Sequence, residues 1–268
     1  FTANTDGSNL RRLTVAKGYD AEAGFSPDGR KIVFSSTRSA YVNDLTEEEE
    51  KLKNIDLSYF GEIYIMNADG SEQKRLTRSA GYDGGPFFSP NGERIVWRRF
   101  NKSGSVAEIH TMKLDGSDVR KITSFKSMSW APYFHPSGDY IIFASNKLGF
   151  SNFELYLVDA RGLCEPIRVT ERAGFDGLPV FSPNGLQLCW TSNATSQKQS
   201  QLFLAKWNHE AALSLLGRAS KQKIKHVKSS SIVSQDDIKK HVEFLASDEL
   251  EGRRTGSVGI RKAAEYIR

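Results

Sequence analysis

Cysteine is scarce in this chain, and its scarcity excludes two classes of small protein. Only Cys164 and Cys189 occur among 268 residues. Their spacing fits neither a metal-binding motif nor the dense framework of a disulfide-rich scaffold. Both lie in or beside predicted strands, where a free cysteine usually serves as a small buried hydrophobic residue. A disulfide between them stays open at this point, because spacing alone does not decide it.

Long apolar runs and familiar catalytic motifs are also absent. No run approaches the roughly 18 apolar residues of a transmembrane helix, so we predict no transmembrane segment. The sequence has no Gly-x-Ser-x-Gly nucleophile elbow and no phosphate-binding loop. His209-Glu210 begins like a zinc-protease helix, but Leu213 occupies the position of the second histidine ligand. We therefore assign no catalytic, cofactor-binding or metal-binding residue in this chain.

Negative charge is in slight deficit, and the deficit comes from one segment. The formal net charge is +5, and residues 218–228 contain five basic residues and no acidic ones. This stretch lacks the interleaved aromatic residues of a nucleic-acid site and lies beside several serines. We therefore predict a solvated basic, serine-rich linker over residues 208–233 and no nucleic-acid partner. A nucleic-acid or membrane-surface site is the less favoured alternative.

What the chain has in abundance is repetition. An aromatic residue followed by Ser-Pro-Asp-Gly, or a close variant, recurs every 46 to 63 residues: Phe25–Gly29, Phe88–Gly92, Phe134–Gly138 and Phe181–Gly185. A second phrase, Asp-Gly-Ser, keeps the same interval at Asp6, Asp69 and Asp115. Repeats of about 40–50 residues are typical of β-propellers and related arrays.

Each repeat predicts four antiparallel strands. Pro and Gly in the phrase favour a type I turn, and a run rich in β-branched and aromatic residues follows it. Further strands are predicted before each Asp-Gly turn and up to the threonines that end the repeat, Thr77, Thr123 and Thr170. With the strand that ends in the aromatic residue of the phrase, each unit makes one propeller blade. We predict a mainly β fold with four visible blades and a partial one at the start of the chain.

One repeat is longer than the others because it contains an insertion from Thr37 to about Phe60. Within it, Thr46 and Glu49 have the spacing of a capping box, which predicts a short surface helix. A disordered acidic loop is the alternative, because four glutamates follow Thr46 directly.

The candidate binding residues lie six positions after each blade-ending threonine, a set that also includes Thr14 of the partial first unit. They are Asp20, Asp83, Ser129 and Asp176. The innermost strand of a propeller blade lines the central channel, so equivalent positions form a ring at one mouth. Three carboxylates on such a ring would attract a cation, a basic peptide or a positively charged chain terminus. In the alternative, each Asp caps its own turn by accepting hydrogen bonds from backbone amides.

The repeats resemble the WD40-like repeats of the TolB family. The consensus is recognisable in Asp83–Gly92 and again in Glu62–Ser71, which runs on to Leu76-Thr77. The resemblance covers residues 1–207 and implies a propeller that binds a peptide or protein at its face, in a periplasmic or secreted protein. The third unit departs from the consensus with Ser129 in the ring and with His135, which we predict to be a surface turn residue.

From Ser234 the apolar spacing changes to that of helices. Phe244–Ser257, followed by Lys262–Ile267, resembles the opening of M28-family zinc aminopeptidases. The resemblance covers residues 234–268 and implies the first two helices of a truncated α/β domain. That family's zinc ligands and general base fall in none of these residues, so zinc would be held by sequence after Arg268. Two helices that merely cap the propeller are the alternative.

The predicted organisation is a propeller over residues 1–207, truncated at its start, a linker over 208–233, and a truncated peptidase-like domain over 234–268. The function that this order implies is an accessory propeller that gates substrates, or binds a protein partner, for a zinc-dependent aminopeptidase. The alternative is a non-enzymatic interaction propeller with a helical cap.

Overall fold

A computed structural model describes residues 1–42, 44–195 and 197–217. These residues fall into two compact units, residues 1–15 and residues 16–217. Within the described residues, neither helix combines the length and the apolar composition needed to cross a bilayer. The two helices predicted within residues 234–268 lie outside the described residues, as does most of the predicted linker.

The small unit has the local structure of the end of one strand, a turn and a returning segment. Thr2 and Arg11 exchange backbone hydrogen bonds of 2.9 and 2.7 Å, and the Asn4 side chain donates to the Ser8 hydroxyl at 2.9 Å. The same side-chain bond closes the turn Asn67–Ser71 in the large unit at 2.8 Å. Residues 1–15 therefore have the geometry predicted for the third strand and Asp-Gly turn of a repeat.

The large unit contains four antiparallel sheets, in each of which the strands pair in chain order. The first sheet consists of β1 (Asp20–Phe25), β2 (Lys31–Ser36), β3 (Glu62–Asn67) and β4 (Lys74–Arg75). The second consists of β5 (Asp83–Phe88), β6 (Arg94–Phe100), β7 (Ala107–Lys113) and β8 (Arg120–Lys121). The third consists of β9 (Ser129–Phe134), β10 (Tyr140–Ser145), β11 (Glu154–Asp159) and β12 (Ile167–Arg168). The fourth consists, among the described residues, of β13 (Asp176–Phe181), β14 (Gln187–Ser192) and β15 (Gln201–Lys206).

The repeated phrase forms the turn between the first two strands of each sheet, as predicted. In all four turns the glycine N–H donates to the carbonyl at the phrase's second position at 2.8 Å. In the first turn the Ser26 hydroxyl donates to Asp28 at 2.6 Å and accepts from the backbone N–H of Lys31 at 2.9 Å. The second and fourth turns repeat these bonds with Asn in place of Asp. The phrase is therefore a self-contained network of hydrogen bonds that starts the second strand.

The outer strands are shorter than predicted, because each ends before the threonine rather than at it. The threonine hydroxyl takes over the pairing with the third strand. Thr123 Oγ1 accepts from the backbone N–H of Ile109 at 2.9 Å and donates to the buried carboxylate of Glu108 at 2.5 Å. Equivalent bonds join Thr77 to Glu62 and Thr170 to Glu154. This glutamate–threonine brace explains why both residue types recur in the repeat.

The core lies between successive sheets. Val33, Ile63 and Trp97 are among the residues buried between the first and second sheets, and Ile109 and Phe143 are buried between the second and third. A third cluster lies between the third and fourth sheets and is described below with the second helix. Each sheet therefore packs its face against the next, as blades of a propeller do.

The predicted surface helix in the insertion is confirmed. Helix α1 (Glu47–Ile55) has none of its residues buried, and Thr46 and Glu49 form both hydrogen bonds of the capping box. Single 3₁₀ turns flank it at Arg38–Tyr41 and Leu57–Phe60. The disordered-loop alternative is wrong, because the reciprocal cap satisfies amides at the start of the helix.

Residues 208–217, which open the segment predicted as a linker, form a second helix that packs on the sheets. Helix α2 (His209–Leu215) is capped by the Asn208 side chain, which accepts from the backbone N–H of Ala211 at 3.0 Å. Ala212, Leu213 and Leu216 are buried in the cluster between the third and fourth sheets. The apolar face of this short helix was not recognised in the sequence.

The prediction that His135 is a surface residue is wrong. Its ring is 4% exposed, and Nε2 lies 3.2 Å from the carbonyl oxygen of Gly185 in the neighbouring sheet. The aromatic rings of Tyr140 and Phe181 lie against it, with centroid separations of 4.6 and 4.8 Å. Packing between two successive turns therefore buries the imidazole, an effect that a single-turn pattern does not contain.

Candidate functional site

The four predicted ring residues occupy the same position in four neighbouring strands. Asp20, Asp83, Ser129 and Asp176 each begin the innermost strand of a sheet. Each pairs across the sheet with a residue near the end of the second strand, namely Ser36, Arg99, Ser145 and Ser192 respectively. Strands β1, β5, β9 and β13 lie side by side in that order. The structure thus places the four residues on a common row of strands.

A β-bulge follows the ring position in every innermost strand. The residue two positions on has a left-handed backbone in each case, with φ of 53° at Glu22, 63° at Gly85, 48° at Ala131 and 54° at Leu178. The register of each pair shifts at the same place. Bulges re-aim side chains and are common beside binding sites.

The ring carboxylate of the second sheet is fully buried and forms an ion pair with an arginine. Asp83 accepts from Arg99 in a two-pronged arrangement, with Nε to Oδ1 at 2.8 Å and Nη2 to Oδ2 at 2.7 Å. The hydroxyl of Ser79 donates to Oδ2 at 2.9 Å. This paired geometry is the strongest form of ion pair between these groups. Asp83 therefore anchors the start of the strand.

The other three ring positions differ from it and from one another. Asp20 is bound by Arg38, whose Nη2 lies 3.0 and 2.9 Å from the two carboxylate oxygens. Asp176 accepts from the indole N–H of Trp190 at 3.3 Å. The buried hydroxyl of Ser129 has no protein hydrogen-bond partner. The row therefore combines two charge-balanced positions, one carboxylate without a cationic partner among its hydrogen bonds, and one neutral position.

Metal-ligating side chains do not cluster in the described part of the chain. No group of three or more His, Cys, Asp or Glu side chains lies together there in a way that would hold a metal ion. Binding of a cation or a charged terminus by the ring stays a prediction.

A second polar cluster joins the first three sheets and was missed in the sequence. Glu22 of β1 accepts from the N–H of Gly85 at 2.8 Å and from the Tyr82 hydroxyl at 2.5 Å. Arg98 of β6 donates to the other oxygen of Glu22 at 2.7 Å. The Arg98 guanidinium lies over the rings of Tyr82 and Trp130, at 5.1 and 5.5 Å from their centroids. The cluster therefore cross-links β1, β6 and β9.

The surroundings of Glu22 and Tyr82 determine which of the two is charged at neutral pH. Burial acts to raise the pKa of Glu22, but the charge of Arg98 and the three hydrogen bonds outweigh it, so the pKa lies below its ordinary value. Burial and the hydrogen bond to Glu22 raise the pKa of Tyr82 to about 12. Tyr82 therefore remains a neutral donor, and Glu22 remains a carboxylate.

Apolar side chains cover the exposed part of the same row of strands. Phe87 is 37% exposed, Leu178 is 53% exposed and Val180 is 41% exposed. The ring of Phe87 meets that of Tyr133 edge to face at 5.2 Å, which links β5 to β9. We refer to the five residues Glu22, Phe87, Tyr133, Leu178 and Val180 as the inner wall. Its chemistry is that of a surface for apolar contacts with one carboxylate at its edge.

The sequence contains one signal for the inner wall that could have been used. Counting two residues on from each ring position gives Glu, Gly, Ala and Leu, a variable set in an otherwise regular strand. A position that varies among otherwise regular repeats is not required by the geometry of the repeat and is therefore a candidate for binding. Arg98 and Trp130 carry no such signal, because their contacts cross from one repeat to the next.

Comparison with known proteins gives a consistent family. The model of the TolB beta propeller domain matches residues 40–251. A TolB homolog of Chlorobium chlorochromatii is 27% identical over 120 residues, which cover 36% of this chain and 27% of that protein. The Tol-Pal system protein TolB of Bordetella pertussis is 58% identical over 33 residues, which cover 12% of this chain and 8% of that protein. The matches therefore span at most about a quarter of the length of these relatives.

Among solved structures, TolB from Acinetobacter baumannii superposes with a TM-score of 0.61 at 20% sequence identity. The match covers 76% of this chain and 45% of that one. At this level of identity the superposition shows a common fold, and it supports no statement about shared ligands.

Proposed function

Because this chain belongs to the TolB β-propeller domain family, we propose that it is a protein-interaction module whose inner wall binds an extended segment of another protein. The observation that carries the proposal is the exposed leucine at a left-handed position, Leu178. The equivalent position of the second sheet is Gly85, so the bulge itself accepts a residue without a side chain.

The energetic argument follows from that comparison. A non-glycine residue in the left-handed region costs roughly 1 kcal/mol. When its side chain is exposed, such a residue buries little apolar area, so hydrophobic stabilisation within the fold offsets little of the backbone strain. Strained residues that persist at a surface are good candidates for binding positions. Leu178 fits that description, and the exposed Phe87 and Val180 extend the apolar surface around it.

The chemistry of the wall defines the partner. An apolar surface favours a segment with aliphatic or aromatic side chains. Glu22 is already paired with Arg98, whereas the carboxylate of Asp176 in the ring accepts from an indole rather than from a cation and favours a basic residue or a free amino terminus nearby. We therefore expect an apolar peptide with one positive group, and no nucleic acid.

A peptide selection tests this proposal directly. A phage-displayed library of random peptides is selected on the protein, and the binders are titrated against Leu178→Gly and Phe87→Ala variants. We expect binding to weaken at least tenfold in each. Leu163→Gly, which removes another exposed leucine from the turn after β11, should leave binding unchanged. Selection of no binder, or equal binding by all variants, would exclude the inner wall as the site.

The ring residues enter the same experiment. If Asp176 contributes to the recognition of a positive group, acetylation of the peptide amino terminus or exchange of its basic residue should weaken binding. The Asp176→Asn variant should then bind the charged and the neutral peptide equally. Unequal binding by that variant would separate the ring from the positive group.

A second proposal concerns the protein's activity. The pattern Phe244–Ser257, which resembles the opening of M28-family zinc aminopeptidases, supports an accessory role of this module in a periplasmic or secreted metallopeptidase. These residues lie outside the described structure, and the sequence pattern is the whole support. The test is hydrolysis of aminoacyl nitroanilides by the product of the complete reading frame, with and without a zinc chelator. Activity that the chelator does not abolish would exclude a zinc enzyme, and no activity with any aminoacyl group would leave the interaction module as the supported function.

A further inference from the structure

Two histidines and a tyrosine stack at the point where helix α2 meets the sheets. The rings of His135 and His209 lie 4.5 Å apart and are parallel to within 8°. Tyr140 stacks on His135 at 4.6 Å and on His209 at 5.6 Å. His135 belongs to the turn before β10, whereas His209 is the first residue of α2. The stack is therefore a contact between the third sheet and the helix.

The hydrogen bonds of His135 fit a neutral imidazole. Nε2 of His135 donates to the Gly185 carbonyl at 3.2 Å, which leaves Nδ1 to accept from the N–H of Ser137 at 3.1 Å. A proton on Nδ1 would remove that acceptor. The single lone pair of His135 thus accepts from the N–H of Ser137, and its single N–H donates to the Gly185 carbonyl.

The second histidine has a matching role on the helix side. The indole of Trp207 donates to the Tyr140 hydroxyl at 2.7 Å, and this hydroxyl donates to Nδ1 of His209, 3.0 Å away. The chain of bonds ends on the lone pair of His209. His209 thus ties α2 to Tyr140, whose ring stacks on His135, a residue that is 4% exposed.

Few groups near the stack would offset a positive charge on His135. Phe181 and Trp207 are apolar neighbours, Ser137 and Tyr140 are neutral, and Asp139 is the carboxylate whose charge acts on His135. Burial, the largest influence, and the neighbouring His209 lower the pKa of His135, whereas the Gly185 carbonyl and Asp139 raise it, and the resulting value is about 4. The docked state therefore holds His135 without a proton at neutral pH.

We propose that the His135–Tyr140–His209 stack is a pH-sensitive latch that holds α2 on the third and fourth sheets while the imidazole of His135 is neutral. Protonation of His135 releases the helix. The helix is short, and only Ala212, Leu213 and Leu216 bury its apolar face. A local opening of this element therefore costs less than unfolding a sheet.

The direction of the pH effect follows from the two states. In the released state the face of His135 that stacks on His209 opens to solvent, so burial lowers its pKa less and the value rises toward the ordinary one of about 6.5. Docking is then favoured above that value and loses ground as the pH falls from about 6.5 toward about 4. With these two values as limits the release equilibrium rises by up to ~30-fold between pH 7.5 and pH 5.

Hydrogen exchange of α2 tests the latch. The amide protection of residues 207–217 is measured by mass spectrometry at pH 7.5 and pH 5, after correction for the intrinsic exchange rate. We expect weaker protection at pH 5, by up to ~30-fold, with the protection of β11 unchanged. Equal protection of α2 at both pH values would overturn the proposal.

Variants separate the latch from general acid sensitivity. His135→Ser, which restores the residue of the other three phrases, should remove the pH response while α2 stays protected. His110→Gln alters another largely buried histidine, in β7, and should keep the full response. If His135→Ser exposes α2 at both pH values, His135→Gln gives the comparison. A pH response in the non-titratable variant equal to that of the natural chain would overturn the latch.

Discussion

The second and third sheets share one backbone plan and differ in the polar residues at both ends of the innermost strand. At the start of β5 the second sheet has the buried ion pair Asp83–Arg99, whereas the third sheet has Ser129 opposite Ser145. At the far end the second sheet has the self-contained Ser-Pro-Asn-Gly turn. The third has His135, which bonds to the next sheet.

What the two sheets share is the glutamate–threonine brace at the outer edge. Glu108 and Thr123 in the second sheet have the same bonds as Glu154 and Thr170 in the third. The comparison indicates a division of roles. The outer brace maintains the blade, and the innermost strand is free to vary where it faces a partner or a neighbouring turn.

The largest effect is expected when the second sheet's charge is transferred to the third. Ser129→Asp would place an unpaired carboxylate in a fully buried position, which should cost about 3–5 kcal/mol of the free energy of unfolding. Adding Ser145→Arg, at the position equivalent to Arg99, should restore about 2 kcal/mol or more. Denaturant unfolding of the four species in a double-mutant cycle gives the coupling. A coupling below about 0.5 kcal/mol would mean that the two sheets are not interchangeable at this position.

The brace should be equally important in both sheets. Glu108→Ala leaves the Thr123 hydroxyl and the N–H of Lys126 without their acceptor, and we expect a loss of about 3 kcal/mol. Glu154→Ala should have a similar effect. Glu93→Ala, at an exposed acid in the turn of the second sheet, serves as the control and should change stability by less than about 0.5 kcal/mol. Unequal losses in the two sheets would weaken the idea of a common outer frame.

The bulges offer a smaller and opposite pair of effects. Gly85→Ala would place a Cβ 2.3 Å from Nη1 of Arg98 at a φ of 63°, and we expect a loss of about 1–2 kcal/mol. Ala131→Gly, at the equivalent bulge, relieves strain but increases the entropy of the unfolded chain, so its effect should stay within about 0.5 kcal/mol. Thermal unfolding of both variants measures the difference. A larger loss of stability for Ala131→Gly than for Gly85→Ala would show that the Arg98 side chain moves away from the new Cβ at little energetic cost.

The smallest effect is expected for Ser129→Ala. The buried hydroxyl has no protein hydrogen-bond partner, so its removal should leave the free energy of unfolding unchanged or raise it by up to about 1 kcal/mol. Chemical denaturation compares this variant with Ser145→Ala, whose hydroxyl lies 3.2 Å from that of Ser127. A clear loss of stability in Ser129→Ala would reveal a partner for this hydroxyl.

Much of the fold could be predicted from the repeated phrases because their hydrogen bonds are local. The bonds of the Ser26 hydroxyl reach two and five residues along the chain, and α1 is capped within one turn. The positions of the ring residues could be predicted for the same reason, since a constant offset from the turn places them at the start of a strand. Their partners could not be predicted. Arg38 reaches Asp20 from the insertion, and Arg98 meets Glu22 across 76 positions of the chain.

The sequence by itself determined the turns, the strands and the number of visible repeats, because residues that are close in the chain form these features. Only the tertiary structure decided which side chains are buried, paired or exposed. His135 is buried because the next turn covers it, α2 docks because two sheets leave an apolar groove for it, and Leu178 is exposed because its bulge turns it outward. These outcomes depend on packing between repeats, and the physical cause lies in contacts that no single repeat contains.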